Sequence, residues 1–279
     1  MVKILSKIIF SILYFIDQII NFIFNRSILI WFKEFYEQRA NKIIFFNHRR
    51  VYLFAPNYLI NWLYEDFYKK EPETISWIDN FKKKDKKIIF WDIGSNIGIY
   101  SIYAALKHKK IEVISFEPST SNLRVLSRNI SLNKLQKKIK IIPIPLTQEA
   151  RNFSLLREGK FAEGESNNSF GKKINFEGKK FYENNSYSTL GASIDFLIKQ
   201  KILEIPDFIK IDVDGLEHLI LKGGVKTLKN RKIKKIQIEI NENFKKQFVD
   251  IKNLMSHLGF KFKEKKRNEL LEIYTEKKI

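Results

Sequence analysis

Apolar residues dominate positions 4–32, and from Ile8 to Phe24 only a thin line of polar positions interrupts them. Lys7, Ser11, Tyr14, Gln18, Asn21 and Asn25 recur at steps of four and three. That spacing predicts a helix with one narrow polar stripe on an otherwise apolar surface. Asp17, Gln18 and Asn21 make the stretch short and imperfect for a membrane span, and the lack of a small-residue cleavage site argues against a secretory signal. Such a helix can lie in a membrane interface, pack into the protein or face a partner subunit. Residues 33–80 mix Trp, Tyr and Phe with charges, predict helices and loops punctuated by Pro56 and Pro72, and carry no chemical motif. The run Lys82–Lys87 separates this N-terminal helical extension, residues 1–87, from residues 88–279.

Beyond residue 88 the pattern changes to continuous apolar runs alternating with helical periods. Ile88–Ile93, Ile111–Phe116, Ile139–Ile144, Phe208–Val213 and Ile233–Ile240 read as strands buried on both faces. Helices are predicted near Ile97–Lys107, from Ser119 or Thr120 to Leu132, after Ser193 as a cap, up to Gly223-Gly224, and near Phe244–Leu258. Residues 147–190 hold Gly, Asn and Ser clusters with weak strand patterns and predict a hairpin or insertion over the sheet. Phe260–Lys263 and Leu270–Thr275 predict an antiparallel terminal pair. The fold class that follows is α/β, a doubly wound, Rossmann-like, mainly parallel sheet with an antiparallel terminal strand.

Composition narrows the chemistry. The chain has 279 residues and no cysteine, which excludes disulfides, thiolate zinc, cysteine-bound iron–sulfur clusters and cysteine nucleophiles. The absence suits a reducing cytoplasm, with membrane association through residues 4–32 left open. A formal net charge of +20 invites a polyanion partner. The excess is mostly lysine, scattered in runs such as Lys82–Lys87 and Lys263–Arg267, and reads as solvated surface rather than a nucleic-acid groove.

The most informative residues are Trp91-Asp92-Ile93-Gly94-Ser95-Asn96-Ile97-Gly98, an apolar strand, a carboxylate and a glycine-bearing turn into a helix. Glycine permits positive φ and close backbone approach to a ligand, and the helix start offers free N–H groups. Asn96 stands where a dinucleotide fingerprint needs its second glycine. Asp92 is out of place beside a pyrophosphate and suits the ammonium of S-adenosyl-L-methionine. The next strand ends in Glu117-Pro118, where an acid about 20 residues on pairs with ribose hydroxyls. Gly94, Ser95, Asn96, Gly98, Glu117 and Pro118 therefore join Asp92 as candidate cofactor-binding residues. A later strand ends Asp212-Val213-Asp214-Gly215-Leu216-Glu217-His218, and Ile236–Asn241 brings Glu239 alongside.

These pieces in this order resemble the FkbM family of methyltransferases. The resemblance covers residues 88–242 through Asp92–Gly98, Phe116–Pro118, Asn129–Asn133, Ile209–Gly215, Leu221–Gly223 and Glu239–Ile240, with Asp214 where the family more often has Glu. It implies a class I methyltransferase fold, S-adenosyl-L-methionine as donor, and usually an oxygen acceptor on a sugar, polyketide or other natural product. A hydroxyl acceptor must lose a proton, and Asp212, Asp214, His218 and Glu239 are the catalytic candidates. Asp214 could instead cap the following helix, and His218 could be a helix-surface residue. Asp212 and Asp214 could bind Mg2+ as hard oxygen ligands, but two carboxylates are too few to assign it. Two other functions compete with a small-molecule or glycan O-methyltransferase. One is an RNA methyltransferase, and the other a non-catalytic, membrane-associated binding protein on the same fold.

Overall fold

The computed structural model describes residues 1–46, 48–82, 86–266 and 271–277. Its first element, α1 (Val2–Phe24), turns at Asn25 into α2 (Leu29–Arg39). The Asp17 carboxylate holds that turn, accepting from Ser27 Oγ at 2.8 Å and from the N–H groups of Ile28 at 2.6 Å and Leu29 at 3.2 Å. A side chain on one helix thus satisfies the free donors that open the next. Leu13, Asp17 and Ile20 aside, every residue of α1 is exposed.

Residues 41–54 differ from the helical expectation. They form an antiparallel hairpin, β1 (Asn41–Phe46) and β2 (Arg49–Phe54), with Asn41 opposite Phe54 and Phe46 opposite Arg49. β2 is not an outlying piece. Asn129 Oδ1 accepts its Phe54 N–H at 2.7 Å, and Val51, Leu53 and Phe54 are buried in the main core. Three helices follow, α3 (Tyr58–Glu65), α4 (Phe67–Lys70) and α5 (Pro72–Asp79). Phe67, Trp77 and Ile78 enter the same core. Of the boundary run Lys82–Lys87, residues 83–85 lie outside the described residues.

The remainder is the alternating layer that the apolar runs predict. In chain order it holds β3 (Ile88–Ile93), α6 (Ile99–Lys107), β4 (Ile111–Phe116), α7 (Thr120–Leu132) and β5 (Ile139–Ile142). Then come β6 (Arg151–Glu158), β7 (Asn168–Phe170), β8 (Asn185–Ala192), α8 (Ile194–Lys199) and β9 (Phe208–Ile211). The chain continues through α9 (Glu217–Lys222), α10 (Val225–Leu228), β10 (Lys235–Glu239), α11 (Lys245–His257), β11 (Phe260–Lys266) and β12 (Leu271–Lys277). Seven strands make one sheet in the order β11-β12-β10-β9-β3-β4-β5. β5, β4, β3, β9 and β10 run parallel, and β12 pairs antiparallel with both β10 and β11. The terminal pair therefore forms as expected, although Leu270 lies outside the described residues.

Every residue of β3 is buried, as a central strand covered on both faces requires. One face packs on α5, α6, α7 and the β1–β2 hairpin; the other packs on α8, α9, α10 and α11. The weakly patterned insertion is a separate sheet of order β7-β6-β8, seated on the cluster of Leu156, Phe170 and Leu216. Ser193 caps α8 as expected, accepting from Phe196 N at 3.2 Å. Ser119 occupies the cap position of α7 but donates its hydroxyl to Glu158 Oε1 at 2.7 Å instead.

Candidate active site

In a parallel sheet, ligands bind beyond the carboxyl ends of the strands, where neighbouring chains leave in opposite directions. Here that point lies between β3, whose chain goes on to β4, and β9, which arrives from the far side. A cavity of about 250 Å³ opens there. The turn after β3 supplies Gly94, Ser95 and Asn96, and the turn after β4 supplies Glu117 and Pro118. β9 and its turn supply Lys210, Asp212 and Asp214, and β10 supplies Glu239. Phe67 and Glu71 from the α4 region and Tyr100 from α6 complete the wall.

Gly94 makes this junction possible. Its φ is +81°, and a Cβ there would lie 1.7 Å from the Asp212 carbonyl oxygen. Backbone thus meets backbone where a side chain has no room. Glu117 is buried at one end of the cavity. Its Oε2 accepts from Asn96 N and its Oε1 from Ser119 N, both at 2.8 Å. Burial pushes its carboxyl up to about 7 against the pull of those two donors.

A charged row crosses the sheet beneath the other end. Asp92 is level with Ser115 on β4 and Lys210 on β9, and Lys210 is level with Gln237 on β10. Level residues of parallel strands point to one face, and the period of two adds Asp212 and Glu239 to it. Lys210 Nζ donates to Asp212 Oδ2 at 2.5 Å and lies 5.1 Å from the centre of the Tyr100 ring. Burial disfavours its charge, but Asp212, Glu71 and Asp92 outweigh that and raise its pKa. Burial likewise works against the Asp212 carboxylate, and the Lys210 ammonium overrides it and holds the group below its usual range. Glu239, hydrogen-bonded to Asp212, is pushed the other way, above its usual range, by the Asp212 charge and then by burial. Asp214 is raised to about 6 by burial and the Asp212 charge, and accepts from Asn167 N at 2.6 Å.

Of the residues singled out in the sequence, Gly94, Ser95, Asn96, Glu117, Pro118, Asp212, Asp214 and Glu239 meet in the cavity. Three do not line it. The Asp92 carboxylate turns behind the wall, where it accepts from Ser101 Oγ at 2.6 Å, and Ser101 Oγ lies 2.7 Å from Ser115 Oγ. Asp92 therefore does not face the hollow beside Glu117; it acts on it through its neighbour Lys210. Gly98 opens α6 and packs against Leu126. His218 is buried edge-on to Phe244, with ring centroids 6.0 Å apart, and burial pushes its pKa down to about 4.

Asp214 does not cap α9. The helix begins at Glu217, whose carboxylate accepts from Val213 N at 3.0 Å, from Gly215 N and from Gln247 Nε2. Glu217 therefore shapes the turn that presents Asp214. Burial pushes it up to about 7, although the Val213 and Gly215 donors pull it down. The folded protein thus holds this proton at pH values where the unfolded chain has lost it. The contribution of Glu217 to stability is full below its ordinary value of 4.5 and is lost as pH rises through about 7. In thermal melts, the stability advantage of wild type over Glu217→Gln is expected to shrink by about 1.4 kcal/mol per pH unit across that window. An advantage that stays flat or grows would contradict it.

Lys210 and Glu71 went unnoticed in the sequence. A lysine inside the otherwise apolar run Phe208–Ile211 was the available signal for the first; Glu71, in a stretch without motifs, offered none. The segment 159–167 also joins the site, closing over it. Gly164 N donates to Asn122 Oδ1 at 2.8 Å, Asn122 Nδ2 to Glu165 O at 3.0 Å and Asn96 Nδ2 to Gly164 O at 3.3 Å. Arg124 ties this cover to α2, meeting Glu163 and Glu37 at 2.8 Å each. Among the described residues, no group of three or more His, Asp or Glu is arranged to hold a metal ion.

A family model for the methyltransferase FkbM domain matches residues 92–262, more than half of the chain. The methyltransferase sdnD of Sordaria araneosa is 24% identical over 151 residues, which are 47% of this chain and 58% of that relative. The chain thus spans less than two thirds of the relative's length. Among solved structures, a methyltransferase FkbM from Methylobacillus flagellatus aligns at 17% identity with a TM-score of 0.46, covering 70% of this chain and 45% of that one. Sp1610 of Streptococcus pneumoniae, solved in complex with S-adenosyl-L-methionine, aligns at 13% identity with a TM-score of 0.42 over 74% of this chain and 73% of that one.

Proposed function

Because this chain belongs to the FkbM family of methyltransferases, we propose that its cavity binds S-adenosyl-L-methionine and serves methylation of a hydroxyl oxygen on a sugar, glycan or other natural product. One observation carries the proposal. The Gly94 turn, the buried Glu117 and the acids Asp212 and Asp214 line a single cavity at the switch point of the sheet. The donor is a nucleoside carrying a sulfonium and an ammonium, and the lining suits each part. Glu117 accepts one backbone donor at each oxygen and a side-chain bond from Asn122, and its remaining acceptor capacity suits a ribose hydroxyl. At the opposite end, Asp92, Asp212 and Glu71 gather around Lys210, with Lys70 also in the wall, and the Asp212 carboxylate held there suits the donor's positive charges.

When bound, the donor supplies an activated methyl group; alignment and proton removal fall to the chain itself. Asp212, pinned as an anion by Lys210, is a weak base and a strong electrostatic anchor. Asp214 is the acid whose pKa of about 6 fits a general base at neutral pH, and the Asn167 N–H fixes its direction. The cover held by Asn96 and Asn122 excludes water from the reaction.

Calorimetry with S-adenosylhomocysteine is the direct test. Wild type is expected to bind it, and Glu117→Gln to bind at least 10-fold more weakly, about 1.4 kcal/mol. Transfer of labelled methyl to a hydroxyl acceptor should rise with pH through about 6 and be lost in Asp214→Asn. Absence of binding in wild type, or unchanged affinity in the variant, would remove the proposed donor site.

A further inference from the structure

The α1–α2 hairpin leaves many large apolar side chains uncovered. Ile8, Ile9, Phe10, Phe15, Phe22 and Ile23 all stand in solvent around the circumference of α1, Phe22 with 91% of its surface free. A soluble core helix would bury one stripe and expose the opposite one. α1 instead buries only Asp17, a charged residue, against the start of α2.

Three polar groups of this helix, on Ser6, Ser11 and Asp17, are satisfied within the hairpin. Ser6 Oγ and Ser11 Oγ donate back to the carbonyls of Val2 and Lys7, both at 2.9 Å. The Asp17 charge is taken up by three donors of the turn. A helix bound for water would have no need to satisfy these groups internally, whereas one facing lipid pays heavily for each one left open. α2 adds exposed Trp31 and Phe35, aromatic side chains of the kind that settle at the lipid–water boundary.

Charge completes the pattern. Exposed Lys3, Lys7, Arg26, Lys33 and Arg39 surround the hairpin. Of its acids, Asp17 is enclosed and Glu37 is paired with Arg124, which leaves Glu34. A second protein copy would gain nothing from this cationic rim, since each copy would present the same charges. A bilayer with anionic headgroups offers hydrocarbon to the helix and counter-charge to the rim together.

We propose that the α1–α2 hairpin docks this protein on an anionic lipid bilayer, α1 inserting its apolar surface among the acyl chains while Lys7, Arg26 and Lys33 meet headgroups. The inference is independent of the methyl-transfer assignment, because it uses no residue of the cavity. Flotation of the full-length protein with vesicles tests it. With vesicles of phosphatidylcholine and phosphatidylglycerol, the protein should rise with the lipid. With phosphatidylcholine alone or at raised salt, binding should weaken several-fold. The double variant Ile8→Asp, Phe15→Asp alters only exposed positions and should reduce the floated fraction at least tenfold with an unchanged melting profile. Failure of the wild type to float overturns the proposal. So does equal flotation of wild type and variant, or a soluble dimer that buries α1 and ignores vesicles.

Discussion

Lys210→Met is expected to lower stability by about 3–5 kcal/mol and to reduce methyl transfer at least 100-fold, about 2.7 kcal/mol in barrier. The size follows from what the ammonium holds. Its side chain is 3% exposed, 2.5 Å from Asp212 and level in the sheet with Asp92. Removing it leaves the buried Asp92 and the partly exposed Asp212 with no cation between them, and breaking a buried pair costs far more than replacing both partners. Asp212 would then take up a proton, and the anion that anchors the reactive end of the cavity would be lost. Thermal melts should show a loss on the order of 10 °C for a chain of this size. Adding Asp212→Asn to the variant should recover part of the melting temperature, because it removes the orphaned charge, while leaving activity low. A melting temperature within a degree of wild type would mean that Lys210 is not the counter-ion of this row.

Gly94→Ala is the second large effect. A Cβ at φ +81° is strained for any L-residue by about 1–2 kcal/mol. Here it would also lie 1.7 Å from the Asp212 carbonyl oxygen, a backbone atom that cannot step aside without moving the end of β9. The turn and the strand must separate, taking apart the two walls that carry the cavity. S-adenosylhomocysteine binding is expected to fall at least 100-fold, about 2.7 kcal/mol, measured by calorimetry. Gly98→Ala is the internal comparison. Its φ is similar at +80°, but its added Cβ would meet only the Leu126 side chain rather than backbone. It should lose markedly less binding than Gly94→Ala; equal losses would mean that strain alone, and not the contact with β9, governs the turn.

How much of this was legible in the sequence depended on distance along the chain. β3, β4, β9 and β10 announced themselves as apolar runs, and Gly94 with Glu117 marked the cavity within one strand–helix–strand unit. The β1–β2 hairpin did not, because its outward positions carry Ile43, Phe45 and Tyr52 where alternation would place polar residues. The direction of Asp92 was hidden for a different reason. Proximity to the glycine turn suggested that it faced the ligand, but its carboxylate is turned to Ser101 and does not line the cavity, although Lys210 on the same face does. Glu71 reaches the site only because α4 and α5 pack across the sheet, a contact spanning more than a hundred residues of sequence. The cover at 159–167 is held by Asn side chains and backbone donors, which have no apolar period to read.

The charged row has a bearing on assembly as well as on chemistry. Ile209 and Ile211 flank Lys210 and belong to the apolar cluster on the opposite face of the sheet. If β9 slid by a single position against β3, the ammonium would be driven into that oily layer and an isoleucine would take its seat between the acids. Such a misalignment carries the desolvation penalty of a lone charge, so the wrong pairing is rejected before any ligand arrives. The residue that conditions the reactive end of the pocket is thereby also the key that admits only one alignment of the central strands.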